Sequence, residues 1–466
     1  MNARRTRRSL SEGGCNATAD SAPRYLEIKD IAGVSPRSFM FSKVLQIFRI
    51  KELRVKVLFV LGMLAVFRML AAIPVPGVDP ERLKQIFESN QLLGFLNIFS
   101  GGALSNFSVA MLGVAPYITA TIIMQLLTMI FPKLKQLYYE EGAAGRAKFN
   151  RISRYLTVPL ACLQAYGFLN LLSSPAQQVI AFNSYADFVR AVIVVTAGTM
   201  LLMWIGELIT EKKIGNGISL IIFAGIVADL PSFVRNAVSI LQTTPSAVPT
   251  YIAYAILSLI IIAAVVAINE GERKVPISYA KQVRGNRLYG GVSSYLPLKV
   301  NQAGVIPIIF AISILLFPQF IAQIGAAFRP DLASALNDLV SKILGNQIIY
   351  GSLYFALVFI FTYFYTAITF DPKEISQNLQ KNGGFIPGIR PGLSTAEFLS
   401  KIIKRITFFG AIFLGFIAVL PNITQILTGI QALTIGGTAM LIVVSVALET
   451  MKQIESQLVM REYEGF

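Results

Sequence analysis

The chain has 466 residues, of which 54% are hydrophobic and only 14% charged, yet it carries a formal net charge of +16 and has no histidine. Apolar residues come in runs of about twenty, long enough to cross a bilayer as helices, which excludes a soluble globular domain and predicts a polytopic membrane protein. Mechanisms that need an imidazole base or ligand are excluded, and neither a Gly-Lys pair for a P-loop nor a Gly-Asp pair for an intramembrane aspartyl protease occurs.

Residues 1–39 are polar, with Arg4, Arg5, Arg7 and Arg8 crowded at the start and no short apolar core of the kind a secretion signal needs, so a disordered cytoplasmic tail is expected. Met40 opens an amphipathic stretch from Phe41 to Phe48 and is itself a candidate start. Ten apolar segments follow, at 54–73, 108–131, 155–174, 187–209, 218–240, 250–269, 301–322, 349–370, 406–421 and 431–451. Between the first two lies 92–107, apolar but broken by Gly101-Gly102 and Asn106, which reads as a re-entrant half-helix inside the protein. Cys15 in the tail and Cys162 in a span make neither a disulfide framework nor a metal-ligand spacing.

Cation placement sets the orientation, because Lys and Arg favour the cytoplasmic side. Twelve lie up to Lys56, then 6, 2, 6 and 6 in alternate loops and 2 after the last span, against six on the other side: Arg82, Lys84, Arg190, Arg235, Arg329 and Lys342. Both termini are therefore expected in the cytoplasm. The expected organisation is the tail, an N-terminal half at 40–240, a C-terminal half at 241–451 with cytoplasmic loops at 270–300 and 371–405, and a cytoplasmic tail at 452–466. Five spans per half force the second half to enter from the opposite side, so the halves are inverted repeats whose interface is the expected functional path.

A short pattern occurs in both halves, Gly113-Val114-Ala115-Pro116-Tyr117-Ile118 and Gly304-Val305-Ile306-Pro307-Ile308-Ile309. Each copy sets two branched aliphatics four residues apart on one helix face, Val114 with Ile118 and Val305 with Ile309. The fifth span opens Gly215-Asn216-Gly217 and sets Ile218 and Ile222 at the same spacing, and the tenth opens Gly436-Gly437 and contains Ile442. Any one of these side chains taken alone reads more readily as facing lipid or a neighbouring helix; their repetition after glycine-rich openings points to a shared lining.

Five stretches together resemble the SecY family, the central channel subunits of the protein translocase. They are Ile73-Pro74-Val75-Pro76-Gly77-Val78, Pro116-Tyr117-Ile118-Thr119-Ala120, Ile214-Gly215-Asn216-Gly217-Ile218-Ser219, Leu296-Pro297-Leu298-Lys299-Val300-Asn301, and the run from Gly383 to Gly392. The resemblance extends from Met40 to Phe466. It implies an all-α fold of ten transmembrane helices in two inverted five-helix halves around an hourglass pore. By the same resemblance Val114, Ile118, Ile218, Ile222, Val305, Ile309 and Ile442 form the pore ring. Residues 92–107, including Leu96, Phe99, Ser100, Gly101, Gly102 and Leu104, form a plug helix. A branched aliphatic collar closes by packing and dewetting and yields around an unfolded chain without holding it.

The resemblance further implies a lateral gate between spans two and three and spans seven and eight, to which Thr119, Thr121, Gln125 and Asn301 would contribute hydrogen bonds; the same groups can instead satisfy their own helices. In the cytoplasmic loops, Arg273, Lys274, Arg284, Arg287 and Arg390 would dock the ribosome, at its RNA and tunnel-exit proteins, and the motor ATPase SecA. The first four also read as ordinary topology charges. Implied partners are SecE and SecG, signal peptides and nascent chains, and membrane lipid; no cofactor is implied, and the location is the bacterial cytoplasmic membrane. The alternative function is a secondary transporter with inverted repeats, whose mark would be charge at the midplane. Against it, the span charges considered are Arg68 near an outer end and Glu207 near a cytoplasmic end.

Overall fold

The computed structural model describes residues 50–75, 97, 100, 102–104, 106–139, 141–173, 184–243, 248–279, 282–284, 287–289, 293–328, 342, 345–428 and 436–464. The expected tail at 1–39 and most of 92–107 lie outside the described residues. The described residues from Lys56 onward form one compact unit, and all packing below lies within it.

Each of the ten expected segments coincides with one long helix: α1 (Lys51–Ala71), α2 (Ala115–Ile130), α4 (Gly142–Ser173), α5 (Tyr185–Glu211), α6 (Gly217–Thr243), α7 (Val248–Glu270), α8 (Ile306–Phe328), α9 (Gln347–Thr369), α11 (Leu393–Thr428) and α12 (Gly436–Glu464). The short helices α3 (Pro132–Tyr139) and α10 (Pro372–Lys381) lie in loops. Among the described residues α5, α6, α7, α9 and α11 are long and apolar enough to cross a membrane by themselves, and α2 qualifies with α3, from which it is bent by 116°. The bend falls at Phe131, extended because Pro132 follows it.

Three helices run past their expected ends. α4 starts at Gly142 rather than 155, α11 at Leu393 rather than 406, and α12 continues to Glu464 instead of giving way to a tail after 451. Hydropathy marks where lipid ends, whereas the helical ladder continues through charged residues with good helix propensity such as Arg146, Lys148 and Arg151. Conversely α2 and α8 start late, at Ala115 and Ile306, because the residues before them turn.

The helix packing repeats with the sequence. In the first half α2 touches α4, α4 touches α5 and α5 touches α6; in the second, α8 touches α9, α9 touches α11 and α11 touches α12. Equivalent helices then meet across the halves, α2 with α8 and α6 with α12, and α8 also reaches α4. Outward faces stay apolar: Ile193, Leu259, Phe409 and Phe416 are exposed, as helices solvated by lipid require.

The two large loops after α7 and α9 add a small sheet to the otherwise helical fold. β1 (Glu272–Tyr279) pairs antiparallel with β4 (Ser293–Lys299) from Glu272 opposite Lys299, and with β5 (Gly384–Phe385) at Ser278 and Tyr279. β2 (Gln282–Arg284) and β3 (Arg287–Tyr289) form the tip hairpin between them. Val275, Leu298, Ile386, Leu399, Ile402 and Ile403 bury the sheet against the start of α11.

The close crossing of α5 and α6 depends on glycine. A Cβ at Gly217 would lie 1.8 Å from the Gly206 carbonyl oxygen, whereas one at Gly62 in α1 would meet nothing within 4 Å. Gly217→Val is expected to force the helices apart at a cost of roughly 1–3 kcal/mol or more, the usual range for overpacking. Gly62→Ala is the control. The expected outcome is a lowered melting temperature of the purified protein for the first and not for the second.

Candidate functional site

The two copies of the repeated pattern fold alike. Gly113 and Gly304 take left-handed conformations, φ 56° and 61°, which glycine adopts without steric cost. Each turn ends the preceding segment, and the helix starts two residues later with proline at its second position, where the missing N–H has no intrahelical partner to lose. The first bonds match as well: Ile118 N donates to Val114 O at 3.1 Å and Ile309 N to Val305 O at 3.4 Å. Thus each Val and Ile pair lies on one face, one turn apart.

The third pair is set by a different cap. The Asn216 side-chain oxygen accepts from Ile218 N (3.1 Å) and Ser219 N (3.3 Å), and Gly217 N donates to the Thr210 hydroxyl (2.9 Å). These bonds satisfy the orphan donors of α6 and fix the direction of Ile218 and Ile222.

All seven aliphatics expected at the constriction join one apolar cluster. Val114, Ile222, Val305, Ile309 and Ile442 are buried in it, and Ile118 and Ile218 pack against it partly buried. The members come from α2, α6, α8 and α12, together with the residues that lead into α2 and α8, so both halves contribute. Ala103, from the segment expected to plug the path, belongs to the same cluster and is fully buried.

Of that segment, Ser100, Gly102 and Leu104 are described, whereas Leu96, Phe99 and Gly101 lie outside the described residues. Asn97 is helical and the described residues from 100 to 107 are turns. The Ser100 hydroxyl donates to Asn97 O (3.0 Å) and accepts from Leu104 N (3.1 Å), and Gly102 N donates to Asn97 O (2.9 Å). The far end is stitched to the end of α1 by Val75 N to Phe107 O (2.9 Å) and Val109 N to Ile73 O (3.0 Å).

The polar groups expected at the seam bond elsewhere. Thr119 and Thr121 donate to the carbonyls of Ala115 (3.0 Å) and Tyr117 (2.9 Å) within α2. Asn301, 8% exposed, donates to the Asn269 side chain (2.9 Å) and to Gly304 O (3.3 Å), and Asn269 donates to Ser445 (2.7 Å). Asn301 therefore ties the entry of α8 to α7 and α12. Gln125 is different: its side-chain oxygen in α2 is buried without a hydrogen-bond partner.

In the loops, Arg273 and Lys274 are exposed on β1; Lys274 pairs with Glu272 (3.4 Å) and lies 4.9 Å from the centre of the Tyr295 ring. Arg284 and Arg287 face each other in register at the end of the β2–β3 hairpin. Arg390 is exposed on a stiff turn. Its carbonyl accepts from the Thr395 hydroxyl (2.9 Å), Ser376 donates to Gly392 O (2.6 Å), and Gly388 and Gly392 have φ of 83° and 101°.

One residue escaped the sequence reading. Asp229 sits in the middle of α6 and pairs with Arg68 of α1 at 3.7 Å. The signal was present, an ionisable side chain inside an apolar span. Glu207, which was considered, pairs with Arg154 of α4 at 2.5 Å.

The SecY family model matches residues 108–451, the region that holds all seven aliphatics. Curated relatives include the protein translocase subunit SecY of Mycobacterium bovis, 45% identical over 92% of this chain and all of the relative. That of Corynebacterium glutamicum is 44% identical over 91% of this chain and 99% of the relative. Among solved structures, one of a protein-conducting channel is 20% identical and covers 86% of this chain and 91% of its own, with a TM-score of 0.60. Sec61 in the canine ribosome–channel complex from the endoplasmic reticulum gives 0.58 at 20% identity over the same shares. Matched by the family model over most of its length and by relatives along their full length, the chain belongs to the SecY family.

Proposed function

We propose that this chain is a protein-conducting channel that passes unfolded secretory polypeptides across the bacterial cytoplasmic membrane and releases membrane segments sideways into lipid. The observation that carries the reading is the meeting of aliphatics from both halves in one cluster with Ala103, in a family whose curated relatives are protein translocase subunits. A collar of this chemistry excludes hydrated ions when packed, because water gains no hydrogen bonds inside it, and offers no charge to trap a passing chain. Sideways release uses the contact of α8 with α2 and α4. This packing lacks hydrogen bonds from Thr119, Thr121 or Asn301, so a hydrophobic signal helix can replace it at small cost.

The chain acts as the conduit, and the driving energy comes from partners. The exposed Arg390 on its braced turn suits a rigid contact with the acidic surface of the motor ATPase SecA, while Arg273, Lys274, Arg284 and Arg287 supply the positive charge for a ribosome contact. A solved neighbour in a ribosome complex supports the second docking site. SecE and SecG are the expected membrane partners, and the cation asymmetry sets both termini in the cytoplasm. The transporter alternative has no support from the family match.

Two measurements test this reading. A photoreactive residue at Ile309 is expected to crosslink to a secretory protein stalled midway through reconstituted vesicles, whereas one at the exposed Phe317 of the same helix crosslinks to lipid only. Translocation that proceeds without an Ile309 crosslink overturns the collar assignment. Arg390→Ala is expected to slow ATP-driven translocation roughly tenfold, the worth of one charge-assisted hydrogen bond of about 1.5 kcal/mol. An unchanged rate with SecA removes Arg390 from the docking site.

A further inference from the structure

Asp229 is an ionisable group within an apolar membrane helix, where such residues are costly and require a partner. Arg68 supplies one at 3.7 Å, with the two side chains 46% and 31% exposed. A pair that merely tied α1 to α6 would need nothing else. A third element meets it: an ideal Cβ on Gly102 would lie 2.8 Å from Asp229 Oδ1, 3.0 Å from Oδ2 and 3.3 Å from Cγ. Both carboxylate oxygens therefore occupy the space in which a side chain at position 102 would begin. Gly102 is also held at φ 77°, by a turn closed through its own N–H on Asn97 O. A side chain at position 102 is thus disfavoured on two independent grounds, backbone handedness and the Asp229 carboxylate it would have to displace.

The neighbours explain what this contact controls. Ala103, next along the chain, is fully buried in the central aliphatic cluster, and so is Phe67, beside Arg68. The Arg68 guanidinium lies 5.9 Å from the centre of the Phe67 ring. The pair and the glycine turn are therefore fastened to the same cluster that holds the collar, one from the helix side and one from the plug side. We propose that the Arg68–Asp229 pair is the seat on which the plug turn at Gly102 closes, so that it sets how firmly the resting channel is sealed. This rests on the channel reading above. Departure of the turn exposes the pair further to the water-filled vestibule, and a residue without a side chain returns to it without displacing the carboxylate.

A double-mutant cycle in the full reconstituted complex tests the seat. The readouts are the resting conductance to potassium chloride in planar bilayers and the export of a substrate with a defective signal peptide. Gly102→Ala and Asp229→Ala are each expected to raise both several-fold. The double variant is expected to rise by less than the product of the two, because Asp229→Ala removes the atoms that the new Cβ strikes. Arg68→Gln, which leaves the carboxylate in place but unpaired, is expected to raise conductance as well. If the Asp229 and Arg68 variants lower the melting temperature but leave conductance unchanged, or if Gly102→Ala is additive with Asp229→Ala, the pair is a helix tie and the seat is overturned. Export of a normal substrate by the unaltered complex is the separate check: its failure sinks the channel reading, whereas its success with unchanged variant conductance sinks the seat alone.

Discussion

The packing of branched aliphatics where the two halves meet is the constraint on which the remaining architecture depends. α2 meets α8 and α6 meets α12, each helix touching its own symmetry equivalent, and the starts of these helices deliver the clustered side chains. Apolar contact between helices gains little over contact with lipid, so close complementarity must hold such a meeting together. Here that complementarity comes from backbone devices at the helix starts. Left-handed glycines precede α2 and α8, an asparagine cap opens α6, and Gly217 presses on Gly206.

Several polar ties gather around α12. α7 and α12 share the Asn269–Ser445 hydrogen bond and the Glu270–Lys452 ion pair at 2.8 Å. Further along α12, the buried Gln457 donates to the Lys213 carbonyl and accepts from Lys56 at 3.2 Å. The last helix therefore joins elements of both halves through directional bonds, whereas α8 meets α2 and α4 without the bonds expected of Thr119, Thr121 and Asn301. One side of the molecule is fastened by hydrogen bonds and ion pairs, which keep a single geometry. The other, among the described residues, is held by packing without bonds from Thr119, Thr121 or Asn301, and such packing can part and re-form.

The same economy governs the loops. The β4–β1–β5 sheet joins the two large loops into one body, backed by the apolar face of α11. Arg390 is thereby carried on a platform rather than on a free loop, and its charge is delivered with little conformational entropy left to lose on contact.

Hydropathy by itself located the ten helical segments, because the bilayer imposes a length of apolar helix. The repeated Gly-Val-x-Pro pattern was equally legible, since glycine handedness and proline at a helix start act over a few residues. Helix ends were not: α4, α11 and α12 continue into water where hydropathy has already fallen, and only their packing reveals it. The bonding of Asn301 to Asn269, and of Gln457 to Lys213, joins residues 32 and 244 positions apart and has no local signal. Asp229 could be seen as a charge in a span, but its apposition to Gly102 could not. Convergence of separate elements on one point is decided by three-dimensional packing, to which periodicity along a single helix is blind.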